Sequence, residues 1–163
     1  MLRQDDPAKC TAAKLAKFQL VEPVRHSNRS SIVLDPFANI VLSASDRDLA
    51  DAVCAIDCSW ERIEESKKMM RFSSAGTHRR LPAMLAANPI NYAKMNKLSS
   101  AEALAGALYI LGDQDTARKM MDKFKWGHTF LELNANLLMD YAIAQTKEQI
   151  HALELEYFPT LPH

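Results

Sequence analysis

The pattern of apolar and polar positions changes once along the chain. In the first half, short β-branched runs alternate with helical ones. Leu15, Phe18 and Leu20 fall at helical spacing within "DPAKCTAAKLAKFQL", and Thr11 stands near the start as a candidate N-cap. "RHSNRSS", Arg25 to Ser31, is polar and predicts a loop. "SSIVLDP" is an apolar run stopped by Asp35-Pro36, the pattern of a buried strand, and "NIVLSA" is a second such run. "SDRDLADA" predicts a helix capped by Ser45, "VCAID" a third strand, and "SWERIEESKKMM" an amphipathic helix. Strand–helix alternation of this kind predicts a mostly parallel sheet.

From Pro82 onward the β-branched runs stop. "LSSAEALAGALYILG" predicts a helix with Ser99 or Ser100 as N-cap, Glu102 in the first turn and Gly112 as the stop. "DQDTARKMMDKF", "HTFLELNANLLMDYAIA" and "KEQIHALELEYF" predict further helices. The expected fold class is α/β: an N-terminal domain over 1–80 with a mostly parallel sheet, then an all-helical C-terminal domain over 81–163. Between them, "HRRLPAMLAANPINYAKMNKLSS" has little periodicity. Long irregular segments are often functional, and ligands of open α/β sheets sit beyond the carboxyl ends of strands. Asp57 and Trp60 fall at such an end, and the Asn-Pro segment reads as free to fold over it.

Composition adds bounds. The chain has 163 residues, 48% hydrophobic and 25% charged, an ordinary globular balance. No apolar run approaches the roughly 20 residues of a membrane helix. "MLRQDDPAKC" lacks the apolar core of a signal peptide, so the cytoplasm is expected. Cys10, Cys54 and Cys58 are odd in number and sparse, which argues against a disulfide framework and against a structural metal. Formal net charge is zero, but no Asp or Glu occurs between Ser66 and Ala101, while Lys67, Lys68, Arg71, Arg79, Arg80, Lys94 and Lys97 do. That segment is either a phosphate-facing surface or a solvated face.

There is no GxGxxG, phosphate-loop, GxSxG or HExxH motif, and only four glycines are present. What remains is a site of loop backbone, apolar walls, one carboxylate and one tryptophan. Such a site suits an adenine-bearing cofactor without a polyphosphate. Asp57 is either the cap of the helix that follows or a general base or ligand anchor. Trp60 either packs in the core or walls a cofactor. His78 and His128 are lone histidines, each expected to be hydrogen-bonded and structural.

In order and spacing, "DPAKCTAAKLAK", "IDCSW", "HRRLPAMLAANPINY", "KLSSAEALAGALYILG" and "KFKWGHTFLELN" together resemble the aminocarboxypropyltransferases that modify a uridine or pseudouridine of small-subunit ribosomal RNA. The resemblance runs over nearly the whole chain. It implies a SPOUT-like fold with a trefoil knot at the cofactor site, between the two domains. It implies transfer of the 3-amino-3-carboxypropyl (acp) group of S-adenosylmethionine to N3 of a uridine or methylated pseudouridine in rRNA, during ribosome biogenesis. Carried over by motif, Thr11 and the backbone of Ser100 would hold the cofactor carboxylate, and Leu42, Leu98 and Ala103 would line the adenine pocket. Leu81 and Asn96 would offer backbone groups to the adenine edge, the Ile56 carbonyl would take the ribose hydroxyls, and Trp60 would wall off the methyl side. Asp57 is the candidate base. Lys9, Lys14, Lys17, Arg79 and Arg80 would contact rRNA phosphates. Small-subunit rRNA or a pre-ribosomal subunit is the expected partner, with no membrane and no metal, and a monomer is expected. Two rivals keep the same fold: a SPOUT-type RNA methyltransferase and a non-catalytic ribosome-assembly protein. Two places depart from the family pattern: Ala44 stands where proline is usual, and Ala93-Lys94-Met95 where a Gly-basic-Pro run is usual.

Overall fold

The computed structural model describes residues 11–24, 26–55 and 75–161. The helix expected over "SWERIEESKKMM" lies outside them, as do Lys9, Ile56, Asp57 and Trp60.

Helix α1 spans Thr11–Lys17 and buries Ala12 and Leu15. It closes with Gln19 in the left-handed region (φ 60°) and the Leu20 N–H bonded to Leu15 O at 3.0 Å, a helix stop usually given to glycine. Strands β1 (Ser31–Leu34), β2 (Ala52–Ala55) and β3 (Thr77–Arg79) form a three-stranded sheet in the order β2-β1-β3. Both pairings are parallel, with Val33 opposite Cys54 on one side and His78 on the other. Every residue of β1 is buried. A central parallel strand covered on both faces needs a continuous apolar run, and "SIVL" supplies it.

The expected strand "NIVLSA" is not one. Val41 makes a single parallel bridge to Arg80, and the Leu42 N–H donates to Arg80 O at 2.8 Å. Beside the sheet the run pairs with Arg80, the residue after β3, then turns into a 3-10 helix over Ala44–Leu49. That helix starts at Ser43, two residues before the expected cap, because the Asp46 carboxylate reaches back to the Ser43 N–H at 3.0 Å. Ala44 is its first residue, the position proline favours. Here the Ala44 N–H, which proline lacks, donates to Ala144 O at 3.4 Å.

The elements after β3 are helices: α2 (Ser100–Ile110), α3 (Gln114–Met121), α4 (Gly127–Leu133), α5 (Ala135–Ile143) and α6 (Lys147–Tyr157). Ser99 caps α2 in a reciprocal box with Glu102, and Gly112 (φ 99°) follows its end. Gly127 starts α4 hard against α3: a Cβ there would stand 1.8 Å from Met121 O, so no other residue fits without a shift. The one long helix expected over "HTFLELNANLLMDYAIA" is two helices, α4 and α5, with the break at Asn134. Asn134 turns its side-chain amide to the backbone of Leu85.

One cluster of buried side chains draws on both sides of position 80, including Leu15, Ile32, Leu42, Met84, Ile110, Phe130 and Ile150. Tyr141 lies at its centre and donates its hydroxyl to Ala83 O at 2.9 Å. No helix of the described residues is long and apolar enough to cross a membrane.

Burial, reinforced by the Glu154 carboxylate, pushes the Tyr141 hydroxyl far above the ordinary tyrosine range. The folded chain therefore keeps this proton at pH values where the unfolded chain releases it. Its contribution to stability is full below about pH 10 and falls as pH rises above that. Between about pH 10 and 12, the stability of Tyr141→Phe should fall with pH by roughly 1.4 kcal/mol per unit less than that of the wild type. Urea unfolding across that range checks this, and parallel slopes would refute it.

Candidate functional site

The sequence reads the Asn-Pro part of the irregular segment 78–100 as free to fold over the strand end. Instead its backbone is pinned on two sides. From Ala83 to Ala87 the chain is extended, so successive amides point in opposite directions. On one side, Ala83 N–H donates to Glu154 Oε1 (2.9 Å), Leu85 N–H to Asn134 Oδ1 (2.9 Å) and Ala87 N–H to Glu102 Oε2 (2.7 Å). These three acceptors come from α6, the α4–α5 break and α2, and all three residues are buried. On the other side, the same strand pairs with its own return. Met84 N–H donates to Asn96 Oδ1, Asn96 N–H to Met84 O, Ala86 N–H to Lys94 O and Ala93 N–H to Ala86 O, over 2.7–3.2 Å.

Glu102 ties the loop to its own helix cap. Its side chain is fully buried, and its two oxygens accept from Ala87 N–H, Asn88 Nδ2 (2.7 Å) and Ser99 N–H (2.9 Å). Three donors satisfy a carboxylate that burial would otherwise make costly. Sequence reasoning saw Glu102 only as a first-turn acid and did not single out Asn88, Asn134 or Glu154. The spacing of Ser99 and Glu102 marks a capping box. Nothing in the sequence marks the second use of the carboxylate, which depends on a loop meeting the helix in space.

The N-terminus of α2 forms the corner of the candidate cofactor site. Thr11, from the first turn of α1, accepts the Ala101 N–H on its Oγ1 at 3.0 Å. Thr11 is therefore brought to the first turn of α2, which begins with Ser100. The loop strand leads into the same turn through Asn96 and the buried Leu98. Ala103, half-buried, follows one turn on. Beside β3, Leu81 is half-buried, and Leu42 pairs with the backbone of Arg80 next to it. Leu42 is wholly buried beside it. The Asn96 N–H is bonded to Met84 O at 2.8 Å.

The two arginines expected at the RNA also have partners within the fold. Arg79 donates Nε to both Asp46 oxygens (3.2 and 3.3 Å) and Nη1 to His78 O. Arg80 makes a two-pronged contact with Glu154 (3.0 and 3.3 Å). Both guanidiniums turn inward, with side chains 14% and 25% exposed. Desolvated carboxylates draw them in, so they brace the 3-10 helix and α6. Lys14 and Lys17 are exposed, with Lys14 Nζ 4.9 Å from the centre of the Phe124 ring. His78 pairs through Nδ1 with Asp35 at 2.8 Å, and exposed His128 lies 3.3 Å from Asp122. Among the described residues, no group of three or more His, Cys, Asp or Glu side chains is placed to hold a metal ion.

Residues 32–158 match the family described as "Ribosome biogenesis protein, C-terminal". A 16S rRNA aminocarboxypropyltransferase from Methanosarcina acetivorans is 44% identical over 157 residues, 94% of this chain and 89% of the relative. One from Thermoplasma volcanium is 46% identical over 160 residues, 96% of this chain and 94% of the relative. The chain belongs to the 16S rRNA aminocarboxypropyltransferase family. Among solved structures, the SAM-dependent rRNA:acp-transferase Tsr3 from Vulcanisaeta distributa superposes with a TM-score of 0.78 at 35% identity, covering 94% of this chain and 92% of that one. The mixed α/β architecture with a small parallel sheet is thus shared with that enzyme.

Membership gives the departure at Ala93 a physical reading. Ala93 has φ 62°, the left-handed region, at the position where the family usually has glycine. An L-residue there costs about 1–2 kcal/mol, which glycine avoids. Ala93→Gly should therefore stabilise the protein by about 1 kcal/mol, after the added freedom of glycine in the unfolded chain is counted. A shift of the urea midpoint to higher concentration at unchanged slope checks this; a shift to lower concentration contradicts it.

Proposed function

We infer that this chain is an S-adenosylmethionine-dependent rRNA aminocarboxypropyltransferase of ribosome biogenesis. Its acceptor is N3 of a uridine or methylated pseudouridine in small-subunit rRNA. The observation that carries this is likeness over nearly the full chain to relatives that each bear that name. The α2 corner supports it. A helix N-terminus favours an anion, and the Thr11 hydroxyl beside it adds a donor, so the donor set suits an amino-acid carboxylate. The half-buried Leu81 and Ala103 offer the apolar surface an adenine needs.

S-adenosylmethionine supplies a sulfonium-activated carbon, which needs orientation more than activation. The residues of this chain supply that orientation. Thr11 and the Ser100 backbone hold the carboxylate end. Leu42, Leu98 and Ala103 line the adenine, backbone groups of Leu81 and Asn96 meet its edge, and the Ile56 carbonyl takes the ribose. Trp60 covers the methyl side, so that the acp carbon faces the RNA. Asp57, the candidate base, accepts a hydrogen bond from the N3–H of the acceptor and holds that ring in line. Lys9, Lys14, Lys17, Arg79 and Arg80 meet rRNA phosphates, the two arginines while also bracing the fold. We further read the fold as SPOUT-like with a trefoil knot, the domains as 1–80 and 81–163 with the cofactor between them, and the protein as a metal-free cytoplasmic monomer.

The test is reaction with a small-subunit rRNA fragment and cofactor labelled in either the carboxyl carbon or the methyl carbon. Carboxyl label entering the RNA, with the mass of one acp group on one nucleoside and strong loss in Asp57→Ala, is expected. Methyl label in the RNA would favour a methyltransferase, and no label of either kind an assembly protein.

A further inference from the structure

The tip of the pinned loop displays apolar side chains to water. Ile90 is 69% exposed and Tyr92 59%, the highest value for any aromatic among the described residues. Scattered surface hydrophobes are ordinary, but the setting of this pair is not. Asn88, at the start of the tip, is buried. Its Nδ2 donates to Glu102 Oε1 (2.7 Å) and Lys97 O (3.2 Å), and its Oδ1 accepts the Asn91 N–H at 3.1 Å. The Asn91 N–H also reaches Asn88 O, and the Lys94 N–H donates to Asn91 O at 3.0 Å. Two tight turns held by a buried carboxylate thus fix the backbone that carries Ile90 and Tyr92. Lys94, two residues on, is exposed, and the sequence has no acidic residue from Lys67 to Ser100.

An exposed aromatic on a fixed backbone, in a basic, acid-free segment, is the arrangement that binds unpaired nucleobases: the ring stacks on a base and the cations attract phosphates. Rigidity matters, because a platform ordered beforehand loses little entropy on binding. We propose that Tyr92, flanked by Ile90, is a stacking platform for an unpaired base of the rRNA substrate and a specificity-determining residue of the transfer reaction. The proposal rests on the rRNA-modifying reading of the site and adds the residue that seats the RNA loop. Tyr92 is a positioning residue: it touches substrate RNA and takes no part in the bond changes.

The experiment uses the full chain and a small-subunit rRNA hairpin with 2-aminopurine at its unpaired purine positions. Wild type, Tyr92→Phe and Tyr92→Ala are compared for hairpin affinity, 2-aminopurine quenching, salt dependence and S-adenosylmethionine affinity. Tyr92→Ala should weaken the hairpin about ten-fold and lose quenching, with the slope of log affinity against log salt unchanged, since no phosphate contact is removed. Tyr92→Phe should stay within about two-fold of wild type, because the ring and not the hydroxyl stacks. Cofactor affinity should not move in either variant. Hairpin affinity of Tyr92→Ala equal to wild type, equal losses in Phe and Ala, a parallel loss of cofactor affinity, or no hairpin binding by the wild type would each overturn the proposal. Binding is read without turnover, so the two readings fail separately. A wild type that quenches but transfers no acp group contradicts the catalytic reading alone; active transfer with an unaffected Tyr92→Ala contradicts the platform alone.

Discussion

The backbone of Ala83–Ala87 lies where no sheet can pair both of its edges. Its own return, through Ala93 and Asn96, takes one edge. The other edge meets helices, whose backbone groups are already used within each helix. Buried N–H groups without acceptors cost roughly 1–3 kcal/mol apiece. Glu154, Asn134 and Glu102 remove that cost by sending side-chain oxygens from the helices to alternate amides. Much else follows from this. Asn134 interrupts a helical run because its side chain is turned to Leu85. Arg80 faces inward because Glu154, buried for the sake of Ala83, needs a counter-charge. Tyr141 is held neutral beside the same carboxylate.

Local features were open to reading from the sequence. "SIVL" bounded by Asp35-Pro36 is a buried strand on pattern alone, and Ser99 with Glu102 marks the start of α2 three residues apart. "HTFLELNANLLMDYAIA" was read as a single helix because its apolar spacing continues through Asn134. The break comes from a contact 49 positions away in the chain, which periodicity cannot express. "NIVLSA" carries strand composition but finds only the short stretch after β3 to pair with. Arg79 and Arg80 read as a basic pair open to RNA, since their partners, Asp46 and Glu154, are distant in sequence. The same limit hid the loop anchors. Each is a polar residue in a helical pattern, and its purpose lies in a segment folded against it.

For the candidate site, the residues assigned through the family blocks divide by how well geometry speaks to them. Thr11 and the start of α2 meet directly. Asn96 and Leu98 belong to the pinned strand and its exit, so their positions derive from the same buried acceptors. Asp57 and Trp60 lie outside the described residues, and their roles rest on the "DCSW" block. The chemistry asked of the protein is chiefly orientation: one of the carbons on a sulfonium must face the acceptor and another must be hidden. A loop whose amides are satisfied by side chains from three places in the helical half can hold such an orientation before any ligand arrives.

That advance ordering is the central claim, and amide hydrogen exchange of the ligand-free protein tests it most directly. Ala83, Leu85 and Ala87 should exchange as slowly as the β1 amides and change little when S-adenosylmethionine is added. Fast exchange at these three amides in the free protein, with protection appearing only on cofactor binding, would contradict it.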